Sequence, residues 1–339
     1  MKEAGGWTLR GGLVGLAAAA GVAYGLYRAA SRRSGGASPG PRDLEGEPGL
    51  HGGGEASGSA GLPSPLPAPL GGFPQGGSDG SKSSHGVLEA HHIKSLLHLL
   101  ESTEDSLVQE QILVTLSNSA AFSVNQNIIR NLGGLSLIGQ MLSVPVTDVK
   151  QKALNALNNL SMNTKNQEEL KNYITKVCEE VDASPVNSEL QLAGLRFLTN
   201  ISVTNDYHSM MTSFVPNFLH LLFDGNERTQ VQVLKVLVNL SANPAMADQL
   251  LNSQAPLLLS LFDSCINKDI LLRVLVFATN LTKSMRHIKD SASQNRYNEE
   301  SIFSTLSDNS LYTQKLASLL HHYDAEVKEQ VAKLIMQQC

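Results

Sequence analysis

Aromatic residues are scarce in this chain, 5% of 339 residues, with a single tryptophan at Trp7. A core built instead from Leu, Val, Ile and Ala suits helices better than a β-sandwich. Cysteine is sparse too. Cys178, Cys265 and Cys339 lie far apart, with no CxxC and no Cys/His ligand spacing. That excludes a disulfide framework, argues against structural zinc and suits a reducing compartment. There is no Walker loop, GxGxxG, GxSxG or HExxH, so no catalytic residue, cofactor or metal is expected. The adjacent pairs His91-His92 and His321-His322 diverge on a helix and cannot both ligate one metal from the same face. Tyr207-His208, beside Asp206, has no nucleophile in a repeated context. A net charge of −5 gives no strong pull toward nucleic acid.

Charge is also missing from Gly11 to Tyr27, GGLVGLAAAAGVAYGLY, which Arg10 precedes and Arg28, Arg32 and Arg33 follow. Seventeen residues is at the short limit for a spanning helix. The trailing arginines hold the following chain in the cytosol. Short length and modest hydrophobicity suit the outer mitochondrial membrane rather than the thicker plasma membrane. A cleaved secretory signal and a non-membrane tail are the competing readings. Gly11 and Gly15, then Gly21 and Gly25, have a spacing that lets helices approach closely, or they simply dilute hydrophobicity. Ser34 to Gly86 is rich in Gly, Ser and Pro and reads as a disordered tether. The expected organisation is a short tail over 1–10, a transmembrane anchor over 11–28, a basic segment and linker over 29–86, and a folded domain over 87–339.

That domain repeats. Asn118, Asn159, Asn200, Asn239 and Asn280 stand 41, 41, 39 and 41 residues apart. Leucine recurs five positions before each, and aliphatic or small residues recur six before, two before and one after. Offsets of −6, −5, −2 and +1 form one buried stripe on a helix. Between these helices lie further apolar segments: NQNIIRNLGGLSLIGQML, NQEELKNYITKVCEEV, SFVPNFLHLLFDGN and APLLLSLFDS. Gly133-Gly134 marks a left-handed break in the first. Three helices per 40 residues predict an all-α solenoid, because no unit can cover its own apolar face. VLEAHHIKSLLHLLEST and YTQKLASLLHHYDAEVKEQVAKLI are the expected caps. Met285 to Ser310 is polar and breaks the pattern.

Asn159, Asn200, Asn239 and Asn280 all satisfy the N-glycosylation sequon. A glycan cannot sit on a helix packed against neighbours, so packing with an exposed edge explains the motif better. The Asn lies outside the apolar stripe, and four and seven residues before it come Asn155 and Lys152, Arg196 and Ala193, Lys235 and Gln232, and Val276 and Arg273. Arg196, Lys235, Lys152 and Arg273 suggest a groove that prefers acidic or phosphorylated segments. The alternative is that these are solvated charges and the Asn ladder satisfies local backbone.

The repeated x-N-[LI]-[ST] resembles the third-helix signature of armadillo repeats. The resemblance implies a right-handed superhelix whose third helices line a concave groove, with each Asn hydrogen-bonding the backbone of an extended peptide. The partner-binding groove would then be Asn118, Lys152, Asn155, Asn159, Arg196, Asn200, Lys235, Asn239, Arg273 and Asn280. Nuclear-import members place a Trp four residues before the Asn; here Val114, Asn155, Arg196, Lys235 and Val276 stand there. A nuclear-localisation-signal receptor is therefore not expected. The stretches AAFSVNQNIIRNLGG, KALNALNNLS, LAGLRFLTNISVTND and DAEVKEQV, behind a Gly/Ala-rich anchor, are similar to the X-linked armadillo repeat family and its relatives. That likeness implies a non-enzymatic adaptor of the outer mitochondrial membrane, with a further pool at the endoplasmic reticulum. It implies partners among the mitochondrial Rho GTPase and kinesin-adaptor machinery and control of mitochondrial distribution and dynamics. The alternative is a regulator of cell growth or survival that binds a transcription factor. A secreted glycoprotein is the minor third reading.

Overall fold

Each repeat ends in a long helix whose apolar stripe is continuous. The computed structural model describes residues 90–289, 297–307 and 309–338. The proposed anchor, its arginines and the linker lie outside the described residues. Among those described, no helix is long and apolar enough to cross a membrane.

The first helix, α1, spans Ala90–Ser102, within the expected N-terminal cap. The third helices are α2 (Ser106–Ser119), α5 (Thr147–Leu160), α8 (Glu189–Ile201), α10 (Glu227–Ser241) and α12 (Lys268–Lys289). Asp105, Ser188 and Asn226 cap α2, α8 and α10 by accepting backbone N–H bonds in their first turns. All twenty residues at offsets −6, −5, −2 and +1 from the repeated Asn are buried, from Ile112 in α2 to Leu281 in α12. Stacking achieves this, since α2 packs on α5, α5 on α8, α8 on α10 and α10 on α12.

Shorter helices fill the space between. They are α3 (Ser123–Asn131), α4 (Gly134–Gln140), α6 (Thr164–Leu170), α7 (Ile174–Ala183), α9 (Val215–Asp224) and α11 (Ala247–Asn252). Gly133 takes φ +74° and separates α3 from α4 at the predicted break. At Gly194 an added Cβ would stand 2.5 Å from Val181 Cγ2, so glycine sets how closely α8 approaches α7.

One expectation is corrected near the C-terminal end. The apolar segment APLLLSLFDS forms only a 3₁₀ turn, Leu258–Phe262. The pattern-breaking stretch from Met285 begins inside a helix, since α12 runs on to Lys289. A further helix, α13 (Ile302–Ser307), packs against α11 and α12. Ile302 N–H bonds Ser253 O at 2.9 Å, fastening this excursion just before the shortened turn. The end of the stack is α14 (Ser310–Leu319) and α15 (Ala325–Gln338), with α15 packed on α12.

Candidate functional site

The repeated Asn stands in the last turn of α2, α5, α8 and α10, where carbonyls lack intrahelical partners, while Asn280 lies inside α12, which runs on to Lys289. Asn159 Nδ2 donates to Ser117 O at 2.9 Å and to Ser117 Oγ at 3.2 Å. Asn200 Nδ2 reaches Asn158 O at 3.0 Å and Ser161 Oγ at 3.1 Å. Asn239 Nδ2 reaches Thr199 O at 3.2 Å and Ser202 Oγ at 3.0 Å. Asn280 Nδ2 reaches Val238 O at 3.3 Å and Ser241 Oγ at 3.0 Å. Each carboxamide therefore ties its repeat to the helix end of the one before. For Asn200, Asn239 and Asn280 the second acceptor is the hydroxyl of the preceding N-[LI]-[ST] motif, which accounts for the recurrence of Ser161, Ser202 and Ser241. These amide hydrogens are engaged within the protein, so in this state they do not stand ready for a peptide carbonyl. The Oδ1 atoms of Asn200, Asn239 and Asn280 carry no hydrogen bond among the described residues. Asn118 is exposed and has no earlier third helix to bond.

A second ladder escaped the sequence reading. Asn125 Nδ2 donates to Ser119 O at 2.9 Å, and Gln126 Nε2 to Ala120 O at 2.8 Å. One repeat on, Asn166 Nδ2 donates to Leu160 O at 3.0 Å, and Gln167 Nε2 to Ser161 O at 2.8 Å. The next repeat uses His208, whose Nε2 lies 2.7 Å from Ser202 O while Nδ1 lies 3.1 Å from Asn243 Nδ2. That geometry suits a neutral ring donating from Nε2 and accepting at Nδ1. Burial holds the His208 pKa below its usual value, against smaller opposing effects of Ser202 and Asp206. The signal was the dipeptide N-Q at 125 and again at 166, 41 residues later. Tyr207 and His208 are thus structural, and Tyr207 Oη bonds Glu168 Oε2 at 3.3 Å.

The expected cations lie in the middle of the same helices and are differently supplied. Lys152 and Asn155 of α5 are half-buried and make no hydrogen bond or ion pair among the described residues. Arg196 of α8 reaches Glu189 Oε2 only at 3.8 Å, while Arg228 holds the other oxygen of Glu189 at 2.9 Å. Lys235 of α10 is 7% exposed, and its one hydrogen bond is a long 3.5 Å contact to Gln232 Oε1. Burial pulls its pKa down to about 8, Arg273 and Arg196 push the same way, and Asp269 opposes. Arg273 of α12 pairs with Asp269 at 3.3 Å on its own helix, while its buried Nε has no partner. Asn200 is buried, and Asn159, Asn239 and Asn280 are partly buried.

No group of three His, Cys, Asp or Glu that could hold a metal occurs among the described residues. Cys178 is buried, which pushes its thiol pKa up to about 12 and makes it a poor nucleophile.

The model of the Armadillo-like family matches residues 88–307. The chain belongs to the Armadillo-like family. Solved structures of engineered solenoids share its fold. A designed armadillo repeat protein in complex with the peptide (KR)4 superposes with a TM-score of 0.62 at 16% identity, covering 73% of this chain and 99% of that one. Computationally designed armadillo repeat proteins for modular peptide recognition give 0.61 at 16% identity, over 72% and 99%. An engineered protein gives 0.59 at 17% identity, over 73% and 96%. An armadillo solenoid is a protein-binding scaffold, and this chain has that architecture.

Proposed function

We propose that this protein is a non-enzymatic, membrane-anchored adaptor of the outer mitochondrial membrane. It is a relative of the X-linked armadillo repeat proteins, and its row of third helices captures protein partners on the cytosolic side. One observation carries the binding half of this reading. Arg196, Lys235 and Arg273 stand on consecutive third helices, buried or half-buried, with carboxylate support only at their margins. Stability alone does not favour such cations. Precedent for a peptide on this fold is the designed protein solved with (KR)4. That peptide is basic, whereas the cations here favour a ligand of opposite sign.

The anchoring half rests on Gly11 to Tyr27 with its flank of Arg10, Arg28, Arg32 and Arg33. The partners are the mitochondrial Rho GTPase and kinesin-adaptor machinery, which the family likeness favours, and the outcome is control of mitochondrial distribution and dynamics.

Two experiments test the two halves separately. A tagged full chain is imaged beside one lacking residues 1–33. Mitochondrial staining of the first and diffuse staining of the second is expected; diffuse staining of the intact chain would shift the reading to a soluble or nuclear regulator. Proximity labelling is then run on the chain and on the double variant Arg196→Glu, Lys235→Glu, with helicity and melting as controls. Partners should be lost from the variant with its fold unchanged; unchanged capture means that another surface binds them.

A further inference from the structure

Three consecutive third helices deliver one cation each to a single stretch of the row; Arg196 and Arg273 have a carboxylate on their own helices, and Lys235 between them has none. Among the described residues Lys235 has no carboxylate within ion-pair distance, and Arg273 Nε is buried without a partner. Of the two acids paired with these cations, Glu189 is held more closely by Arg228 than by Arg196, and Asp269 takes Arg273 through both its carboxylate and its backbone carbonyl. The buried, uncompensated charge of Lys235 is costly, and an anion arriving beside it would relieve that charge with Arg196 and Arg273 on either side.

Resting on the reading of this row as the partner-binding face, we propose that Arg196, Lys235 and Arg273 form a seat for one phosphoryl group of a phosphorylated peptide segment. A carboxylate brings a single charge and two oxygens. A phosphoryl group brings nearly two charges and three acceptor oxygens, and so can meet three separate cationic side chains at once. The groups beside the seat suit a polypeptide. Asn200 and Asn239 lie four residues after Arg196 and Lys235, on the same side of their helices. Their free Oδ1 atoms can accept N–H bonds from an extended backbone, while their amide hydrogens stay in the inter-repeat ladder. A nucleic acid would need a tract of cations to follow its phosphates. Here the cations are a cluster of three beside Glu189 and Asp269, in a chain of net charge −5.

The test uses the full chain in detergent and three fluorescent peptide pools. The pools are degenerate at the flanking positions and carry a fixed central phosphoserine, serine or glutamate. The phosphoserine pool should bind about tenfold or more tighter than the glutamate pool, and the serine pool weakest. Lys235→Gln with Arg273→Gln should remove that advantage, and Lys235→Arg should keep most of it. Melting curves establish that each variant is folded. Equal binding of all three pools, still weakened by Arg196→Glu with Lys235→Glu, overturns the phosphoryl seat and leaves the groove standing. No pool binding, together with partner capture that ignores every variant in the row, overturns the groove itself. Capture of phosphoinositide-containing vesicles without any phosphoserine preference would overturn the peptide and assign the seat to a lipid headgroup.

Discussion

The ends and the middles of the third helices follow opposite rules. At their C-terminal ends nearly every polar group has a partner inside the protein: Asn159, Asn200, Asn239 and Asn280 donate back one repeat, and Asn125, Gln126, Asn166, Gln167 and His208 cap the helix just before them. In the middles Lys235 is buried with one long hydrogen bond, and the half-buried Arg273 pairs with Asp269 but leaves its Nε without a partner. A satisfied polar row holds repeats in register and loses stability when cut. An unsatisfied one lowers stability and is retained for what it can bind. The same helices therefore carry a joint beside the proposed binding seat, and substitutions should separate them.

The largest loss is expected from Asn200→Leu. It strips donors from Asn158 O and Ser161 Oγ at a nearly buried joint, so chemical denaturation should show a loss of about 2–3 kcal/mol. Lys235→Met tests the opposite rule. It removes a buried charge at similar volume and should raise stability by roughly 2 kcal/mol near neutral pH, while phosphoserine binding falls. In the parent chain the Lys235 pKa, lowered from 10.5 to about 8, makes the native state gain stability as pH rises between those values. That rise should flatten in the variant.

A smaller effect belongs to His208. Its pKa is held below 6.5, so its contribution is complete above that pH and is lost as pH falls through the folded-state value. Melting at about pH 7.5 and about pH 5.5 should show a drop that His208→Gln reduces, since Gln fills the same place at 126 and 167. The smallest effect is Asn118→Ala. It shares the repeated Asn but lacks an earlier third helix, and its cost should stay within about 0.5 kcal/mol in the same denaturation assay. A loss as large as that at Asn200 would mean that the joint works within a repeat rather than between repeats.

Much of the fold could be read directly. The stripe from Ile112 to Leu281 recurs with helical phase, so its burial followed from periodicity alone. The 3₁₀ turn at Leu258–Phe262 could not be read, because its apolar run looks like its counterparts until Ile302 returns to bond Ser253. The site was half legible. The spacing picked out Arg196, Lys235 and Arg273, but it could not show that Arg228, from the next third helix, holds Glu189 more closely than Arg196 does. The partners of the amide row were equally hidden: nothing near Asn200 in the chain says that it meets Asn158 and Ser161.

Composition and the 41-residue rhythm were enough to establish an all-helical stack, because an apolar stripe too wide for one unit must be covered by the next. Which polar residues became joints and which became a charged seat was decided by the stacking. Hydrogen bonding and desolvation depend on what surrounds a side chain in space, and a third helix meets its neighbours only once the repeats are assembled.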